Sequence, residues 1–121
     1  MYAKFLLIGA LLASVGSAWA HGEKGPHGGR VADAVPYHVE MVVKSDIVDV
    51  FISDANERPV AASGFKGTAI LVASGKSQRV VLTPADGVRL SGNATAALPN
   101  QPKGVVQLTA PDGKTAQAKF D

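Results

Sequence analysis

The chain contains no cysteine among its 121 residues. This absence excludes disulfide bonds, thiolate metal sites, a cysteine nucleophile and a lipid-modified N-terminal cysteine. Stability must therefore come from an ordinary apolar core, and a chain of this length can build one small domain with such a core.

Aromatic residues and excess charge are also scarce. The only tryptophan, Trp19, lies close to the N-terminus, and 12 basic side chains nearly balance 10 acidic ones. A near-neutral chain gives no reason to expect a nucleic acid or an anionic membrane as a partner. The shortage of aromatic rings also argues against a surface that binds polysaccharides by stacking.

The N-terminal residues have the order of a secretory signal peptide. Lys4 precedes the apolar run 5–13, and Ala18-Trp19-Ala20 offers small residues at the −3 and −1 positions of a cleavage site. The alternative is a membrane anchor, but the run is shorter than the roughly 20 residues that a spanning helix needs. We expect a signal peptide helix over residues 1–20, cleaved after Ala20, and no membrane insertion afterwards.

No stretch after the signal peptide has helical periodicity of useful length. Short alternating segments instead follow one another from residue 37, with turn residues such as Pro111-Asp112-Gly113 between them. This pattern predicts an all-β fold, a small antiparallel β-sandwich or barrel of about seven strands over residues 37–121. The Gly-rich residues 21–36 are expected to form a flexible leader.

The first predicted hairpin has a register that can be argued from its faces. A two-residue loop at Ser45-Asp46 pairs Met41 with Val50 and keeps the apolar positions of both strands together. A one-residue slip would place a charge opposite Met41. With the two-residue loop, His38 and Glu40 share the other face of the hairpin, across from Asp49.

Candidate metal donors are concentrated near the start of the exported chain. His21, His27, His38 and Glu40 lie within 20 positions, and no histidine follows His38. Imidazole and carboxylate ligands suit Cu(II), Zn(II) and similar ions. Cleavage after Ala20 would give His21 a free amine beside its imidazole, a chelating pair whose metal affinity rises with pH. The Gly28-Gly29 pair allows the leader to fold back over His38 and Glu40.

A simpler interpretation applies to each of these residues. Histidines in a Gly-rich leader or on an exposed strand are commonly solvated, and exposed carboxylates commonly serve only solubility. The spacing of the donors is irregular, unlike that of a zinc finger, so their grouping predicts a site more strongly than any one residue does.

The segments 25–43 and 48–60 resemble a group of small exported bacterial proteins that share a His-Gly-Gly element followed by Tyr-His-x-Glu. Here these elements are His27-Gly28-Gly29 and Tyr37 to Glu40. The His-Gly-Gly element is also similar to a segment of periplasmic adaptor subunits of heavy-metal efflux pumps. The resemblance implies a periplasmic location and metal handling, with His27, His38 and Glu40 matching the pattern. His21 does not belong to it.

Three classes of function are consistent with these observations. The first is a periplasmic protein that binds a divalent metal, copper or zinc, in heavy-metal homeostasis or efflux, with an efflux adaptor as a partner. The second is a metal-independent β-sandwich module that docks on an envelope efflux complex. The third is an enzyme, which we do not expect, because no nucleophile–base pair is placed by any motif.

Overall fold

The computed structural model describes residues 23–121, and these form an all-β structure. The all-β prediction is confirmed. The predicted signal peptide and its cleavage site lie outside the described residues. The strands in chain order are β1 (Glu23–Lys24), β2 (Arg30–Ala34), β3 (Tyr37–Lys44), β4 (Ile47–Ser53), β5 (Lys66–Ala73), β6 (Lys76–Pro84), β7 (Leu90–Asn93), β8 (Lys103–Thr109) and β9 (Thr115–Phe120).

The nine strands form one antiparallel, curled sheet in the order β1-β2-β3-β4-β7-β6-β5-β8-β9. Strand β6 joins the two halves of this sheet. It pairs with β5 from Lys76 to Leu82, and its last two residues, Thr83 and Pro84, pair with β7. Among residues 23–121 there is no helix with the length and apolar character needed to cross a bilayer.

The strand count differs from the prediction because the sheet begins earlier than expected. The seven strands from Tyr37 onward are β3–β9, and β1 and β2 precede them in the segment expected to be a flexible leader. Strand β2 pairs with β3 over five residues and buries Ala32 and Ala34 in the core. Val31, the residue before Ala32, is also almost completely buried. Three apolar side chains therefore attach this segment to the sheet, but they do not alternate regularly and give only a weak hydrophobic pattern.

The hairpin of β3 and β4 has the predicted register. Lys44 lies opposite Ile47 across the Ser45-Asp46 loop, and Met41 lies opposite Val50. Ser45 adopts a φ of 57°, the left-handed conformation that a tight two-residue loop commonly requires. The faces of the hairpin are consequently arranged as the alternation indicates, with Val39, Met41 and Val43 buried on one side.

The inner face of the curled sheet carries the core. Alternate residues of the two halves meet there in one cluster, which includes Val48 and Val50 from one half and Leu71, Leu82 and Leu108 from the other. Each of these five side chains is almost completely buried. Burial of a side chain of this size stabilises the fold by about 1.5–3 kcal/mol before entropic costs.

Arg30 links the two ends of the curled sheet. Its guanidinium donates to the carbonyl oxygen of Pro102 at 3.1 Å and to that of Asp121. The same group lies 5.6 Å from the ring centroid of Phe120, within the range of a cation–π contact. The planar guanidinium can make these contacts together because its donors form a fixed fork. Strand β2 is thereby held beside the end of β9.

Candidate functional site

Glu40 is a buried carboxylate on the outer face of β3. Its neighbours Val39 and Met41 point into the core, so alternation directs Glu40 away from it. An exposed position would be expected there, yet Glu40 is only 4% exposed. A buried charge of this kind is costly unless polar groups surround it, and the surrounding groups come from the leader.

The residues that cover Glu40 form the loop of the β1–β2 hairpin. Gly25 donates its amide to the carbonyl of Gly29 at 2.8 Å, and Gly28 donates to the carbonyl of Gly25 at 3.0 Å. Gly28 has a φ of 82°, which glycine adopts without strain. The loop is therefore closed on itself and presents His27 towards β3.

Three N–H groups of this loop donate to the Glu40 carboxylate. The amides of His27 and Gly29 each reach Oε2 at 2.8 Å. The Nδ1 atom of His27 lies 2.7 Å from Oε1. Hydrogen bonds to an ionised acceptor are stronger than bonds between neutral groups. The carboxylate thus replaces its lost hydration with donors from a single loop.

Two glycines are needed for the close approach of the loop to the sheet. A Cβ atom on Gly25 would lie 2.5 Å from the Glu40 carboxyl carbon. A Cβ atom on Gly29 would lie 2.3 Å from the carbonyl oxygen of Met41. Both distances are shorter than nonbonded atoms tolerate, so any larger residue would move the loop away from Glu40.

The imidazole of His27 is fixed on two sides. Its ring stacks on Phe51, with ring centroids 3.7 Å apart and planes inclined by 6°. Phe51 lies directly opposite Glu40 in the β3–β4 register, so both partners of the imidazole come from neighbouring strands. The side chain of His27 is still 49% exposed. One edge of the ring is therefore bound to the protein while much of the ring remains accessible.

The contact with Glu40 also selects the tautomer of His27. An ionised carboxylate only accepts hydrogen bonds, so Nδ1 must carry the proton in this contact. In the neutral imidazole, Nε2 then has the free lone pair. No residue within 23–121 donates a hydrogen bond to this atom.

His38 is placed with a different partner. Its Nδ1 atom lies 2.9 Å from Oδ1 of Asp33, and its side chain is 21% exposed. Asp33 lies opposite His38 in the β2–β3 register, on the outer face, because its neighbours Ala32 and Ala34 point inward. Asp33 was not among the predicted site residues. The alternation Ala-Asp-Ala carries this signal, but it is visible only once residues 30–34 are recognised as a strand.

Asp49 also lies on the outer face of the hairpin, opposite Val42. Its Oδ1 atom accepts a hydrogen bond of 2.6 Å from the Ser91 hydroxyl. Asp49 is therefore engaged with β7 rather than with the histidines.

The predicted donors consequently fall into separate pairs. The structure brings His27 to Glu40 and His38 to Asp33, and His21 lies outside the described residues. Within residues 23–121, no three His, Asp or Glu side chains lie close enough together to hold a metal ion. The role open to Glu40 is that of a hydrogen-bond acceptor that positions His27, since both its oxygens are occupied by loop donors.

Over residues 23–121, the fold and this arrangement define an all-β structure that presents the oriented, half-exposed imidazole of His27 on its outer face. Comparisons with protein-family models, with curated proteins and with solved structures found no match for this chain.

Proposed function

We propose that this protein binds a divalent metal ion, Cu(II) or Zn(II), in the periplasm, and that Nε2 of His27 is the ligand from the folded domain. The observation that supports the proposal is the hydrogen bond between His27 Nδ1 and Glu40. Histidines that ligate metals commonly donate their other ring N–H to a carboxylate, which fixes the tautomer and raises the basicity of the ligating nitrogen.

In this proposal Glu40 orients the imidazole of His27 and does not bind the metal. We do not place this carboxylate among the ligands, because the loop amides and the imidazole already occupy its oxygens. The further donors we propose are the amine and imidazole of His21 in the cleaved chain. Nitrogen donors of this type suit Cu(II) and Zn(II) better than harder or softer ions.

The direct test is a calorimetric titration of residues 21–121 with Cu(II) and with Zn(II). His27→Gln removes the proposed ligand, and His38→Gln is the matched control, since both replace a histidine that pairs with a carboxylate. We expect His27→Gln to weaken binding strongly, because only the His21 amine and imidazole remain as donors, and His38→Gln to leave the affinity within about twofold. Equal loss in both variants, or no loss in either, would contradict the assignment.

Glu40→Gln tests the orienting carboxylate. Loss of such a partner typically weakens metal affinity by about 10–100-fold. Backbone amide NMR spectra of the metal-free variant would show whether the loop at residues 25–29 stays in place. A variant with an intact loop and unchanged affinity would show that Glu40 does not act through the imidazole.

The contribution of His21 is tested through its amine. A chain that begins at His21 is compared with one that retains Ala20, because only the first has an amine on the histidine itself. We expect tighter Cu(II) binding by the first chain, with a difference that grows as pH rises and the amine loses its proton. Identical affinities at every pH would exclude the amine as a ligand.

Participation in heavy-metal homeostasis or efflux, with a periplasmic adaptor as partner, is part of the same proposal. The alternative is a metal-independent docking module, and the exposed apolar side chains Ile70, Val72 and Val81 on the outer face favour it. Affinity capture of the adaptor with and without chelator distinguishes the two. Capture that persists in chelator, by a protein without metal affinity, would favour the docking module.

A further inference from the structure

A cavity of about 220 Å³ opens beside the stacked pair of His27 and Phe51. Three segments meet around it: the leader loop through Pro26, the turn after β4 through Glu57 and Pro59, and Val88 from the turn before β7. An apolar cavity of about 150 Å³ is large enough for benzene. This cavity therefore has room for a ligand with one six-membered ring.

The walls of the cavity are mainly apolar. Phe51, Pro26, Pro59 and Val88 contribute rings and methyl groups. Val88 is 58% exposed, so its methyl groups are accessible to a ligand. Pockets that bind small molecules commonly combine such a lining with a few placed polar groups.

The ionisable groups around the cavity are acidic, apart from His27. Among residues 23–121, two carboxylates, Glu40 and Glu57, contribute to its lining, and no lysine or arginine does. The oxygens of Glu40 already accept three hydrogen bonds from the loop. Glu57 is therefore the carboxylate that remains able to pair with a ligand.

Glu57 is held in an uncommon backbone conformation. Its φ is 64°, in the left-handed region that residues other than glycine, asparagine and aspartate rarely adopt. Its amide donates to the carbonyl of Asp54 at 2.9 Å, which keeps it within the turn. Glycine would fit this conformation without strain. Gly28 occupies the equivalent position of the β1–β2 loop with the same hydrogen bonds and a φ of 82°, so the turn itself requires the left-handed residue. The turn thereby fixes Glu57 at the edge of the cavity.

We propose that this cavity binds a small organic cation, a protonated primary amine attached to an apolar body about the size of one ring. The apolar body fills the space beside Phe51 and Val88, and Glu57 pairs with the ammonium group. The proposal does not depend on metal binding, because Nε2 of His27 takes no part in it.

The test uses three probes that share a benzyl or phenyl body: benzylamine, benzyl alcohol and benzoate. Each is titrated into metal-free protein while backbone amide NMR signals are followed. We expect benzylamine to shift the signals of Phe51, Glu57 and Val88 in a saturable manner. Benzyl alcohol is expected to bind at least fivefold more weakly, and benzoate not to bind.

Two variants locate the charge recognition. Glu57→Gln keeps the size of the side chain and removes its charge, and we expect it to reduce the preference for benzylamine over benzyl alcohol to below twofold. Asp112→Asn, in the exposed turn between β8 and β9, is the matched control and should leave the preference unchanged. An equal effect of both variants would attribute the preference to net charge and would overturn the proposal.

The remaining outcomes are equally decisive. Tighter binding of benzoate than of benzylamine would overturn the proposal, as would shifts confined to residues away from Phe51 and Val88. The absence of saturable shifts with any probe would do the same. The metal proposal would survive all three results, since its own titrations use His27→Gln and no organic ligand.

Discussion

The two halves of the sheet differ in which side chains of the outer face are covered. On the β2–β4 half, the charged Glu40 is covered by the leader loop and is 4% exposed. On the β5–β6 half, Ile70, Val72 and Val81 lie open to solvent. Both halves share one core on the inner face. Strand alternation alone therefore determines which side chains face outward, but not which of them are covered.

The difference has a simple physical origin. A carboxylate on the outer face can organise a glycine-rich loop, because it offers acceptors to several N–H groups at once. Aliphatic side chains have no directional contacts of this kind. Covering them requires an apolar partner, and no segment within residues 23–121 supplies one for Val81.

The strongest test of this comparison removes the carboxylate. Glu40→Ala is expected to lower the free energy of unfolding by about 2–4 kcal/mol, because it leaves the buried amide of Gly29 and the partly buried amide of His27 without an acceptor. Urea denaturation measures the change. Glu57→Gln is the control, because Glu57 is a half-buried carboxylate, and it should change the free energy of unfolding by less than about 0.5 kcal/mol. Similar losses in both would show that Glu40 has no special part in stability.

A second test leaves the carboxylate in place and blocks the approach of the loop. Gly29→Ala is expected to cost about 1–3 kcal/mol, because its Cβ atom would collide with the Met41 carbonyl. Gly28→Asn is the control, since no atom lies within 4 Å of its Cβ position and asparagine tolerates a positive φ. Faster amide hydrogen exchange at residues 25–29 in the first variant alone would support the loop geometry.

A third test addresses the uncovered half of the sheet. Val81→Thr should change the free energy of unfolding by no more than about 0.5 kcal/mol, because Val81 is 62% exposed. Its neighbour Val80 is fully buried, and Val80→Ala should cost about 1.5–3 kcal/mol. A large loss from Val81→Thr, measured by thermal or urea unfolding, would mean that this face is covered after all.

The smallest expected effect concerns Asp54, an accessible carboxylate that, like Glu40, accepts hydrogen bonds from backbone amides. Asp54 accepts from the amides of Arg58 at 3.0 Å and Asn56 at 2.8 Å. The backbone hydrogen bond from Arg58 holds the pKa of Asp54 below its ordinary value. The pKa of Asp54 is therefore lower in the folded than in the unfolded protein. The stabilisation that ionised Asp54 gives the fold is complete above the unfolded-state pKa of about 4, and it is lost as the pH falls through the folded-state pKa.

The corresponding measurement compares Asp54→Asn with the unmodified chain from pH 7 to pH 2. We expect the variant to be slightly less stable than the unmodified chain at neutral pH. The difference in their free energies of unfolding should disappear at acidic pH. A gap that stays constant over the whole range would show that ionisation of Asp54 does not contribute.

Much of the fold can be predicted from local pattern. The β3–β4 register follows from apolar positions that repeat every second residue and from a loop with room for only two residues, so Met41 opposite Val50 could be predicted. Strand β2 could not be predicted as firmly. Its contributions to the core, Ala32 and Ala34, are small, and the buried Val31 comes directly before Ala32 and so interrupts the alternation typical of a strand.

The candidate site was predictable only in part. The residues His27 and Glu40 could be selected, and the Gly28-Gly29 pair indicated a reversal of the leader. Their pairing depends on distances that no periodicity encodes: a hydrogen bond of 2.7 Å and a stacking contact with Phe51. The link between His38 and Asp33 depends in turn on the register of a strand that the sequence marks weakly.

The attachment of the leader loop to Glu40 has a consequence for the response to ionic strength. Salt screens exposed charges over a Debye length of about 10 Å at 0.1 M, but it acts much less on buried pairs. The exposed pair of Arg89 and Asp86, 3.6 Å apart, is of the first kind, and the buried carboxylate with its loop amides is of the second. The orientation of His27 should therefore depend little on ionic strength, and the imidazole should keep the same position when the salt concentration changes.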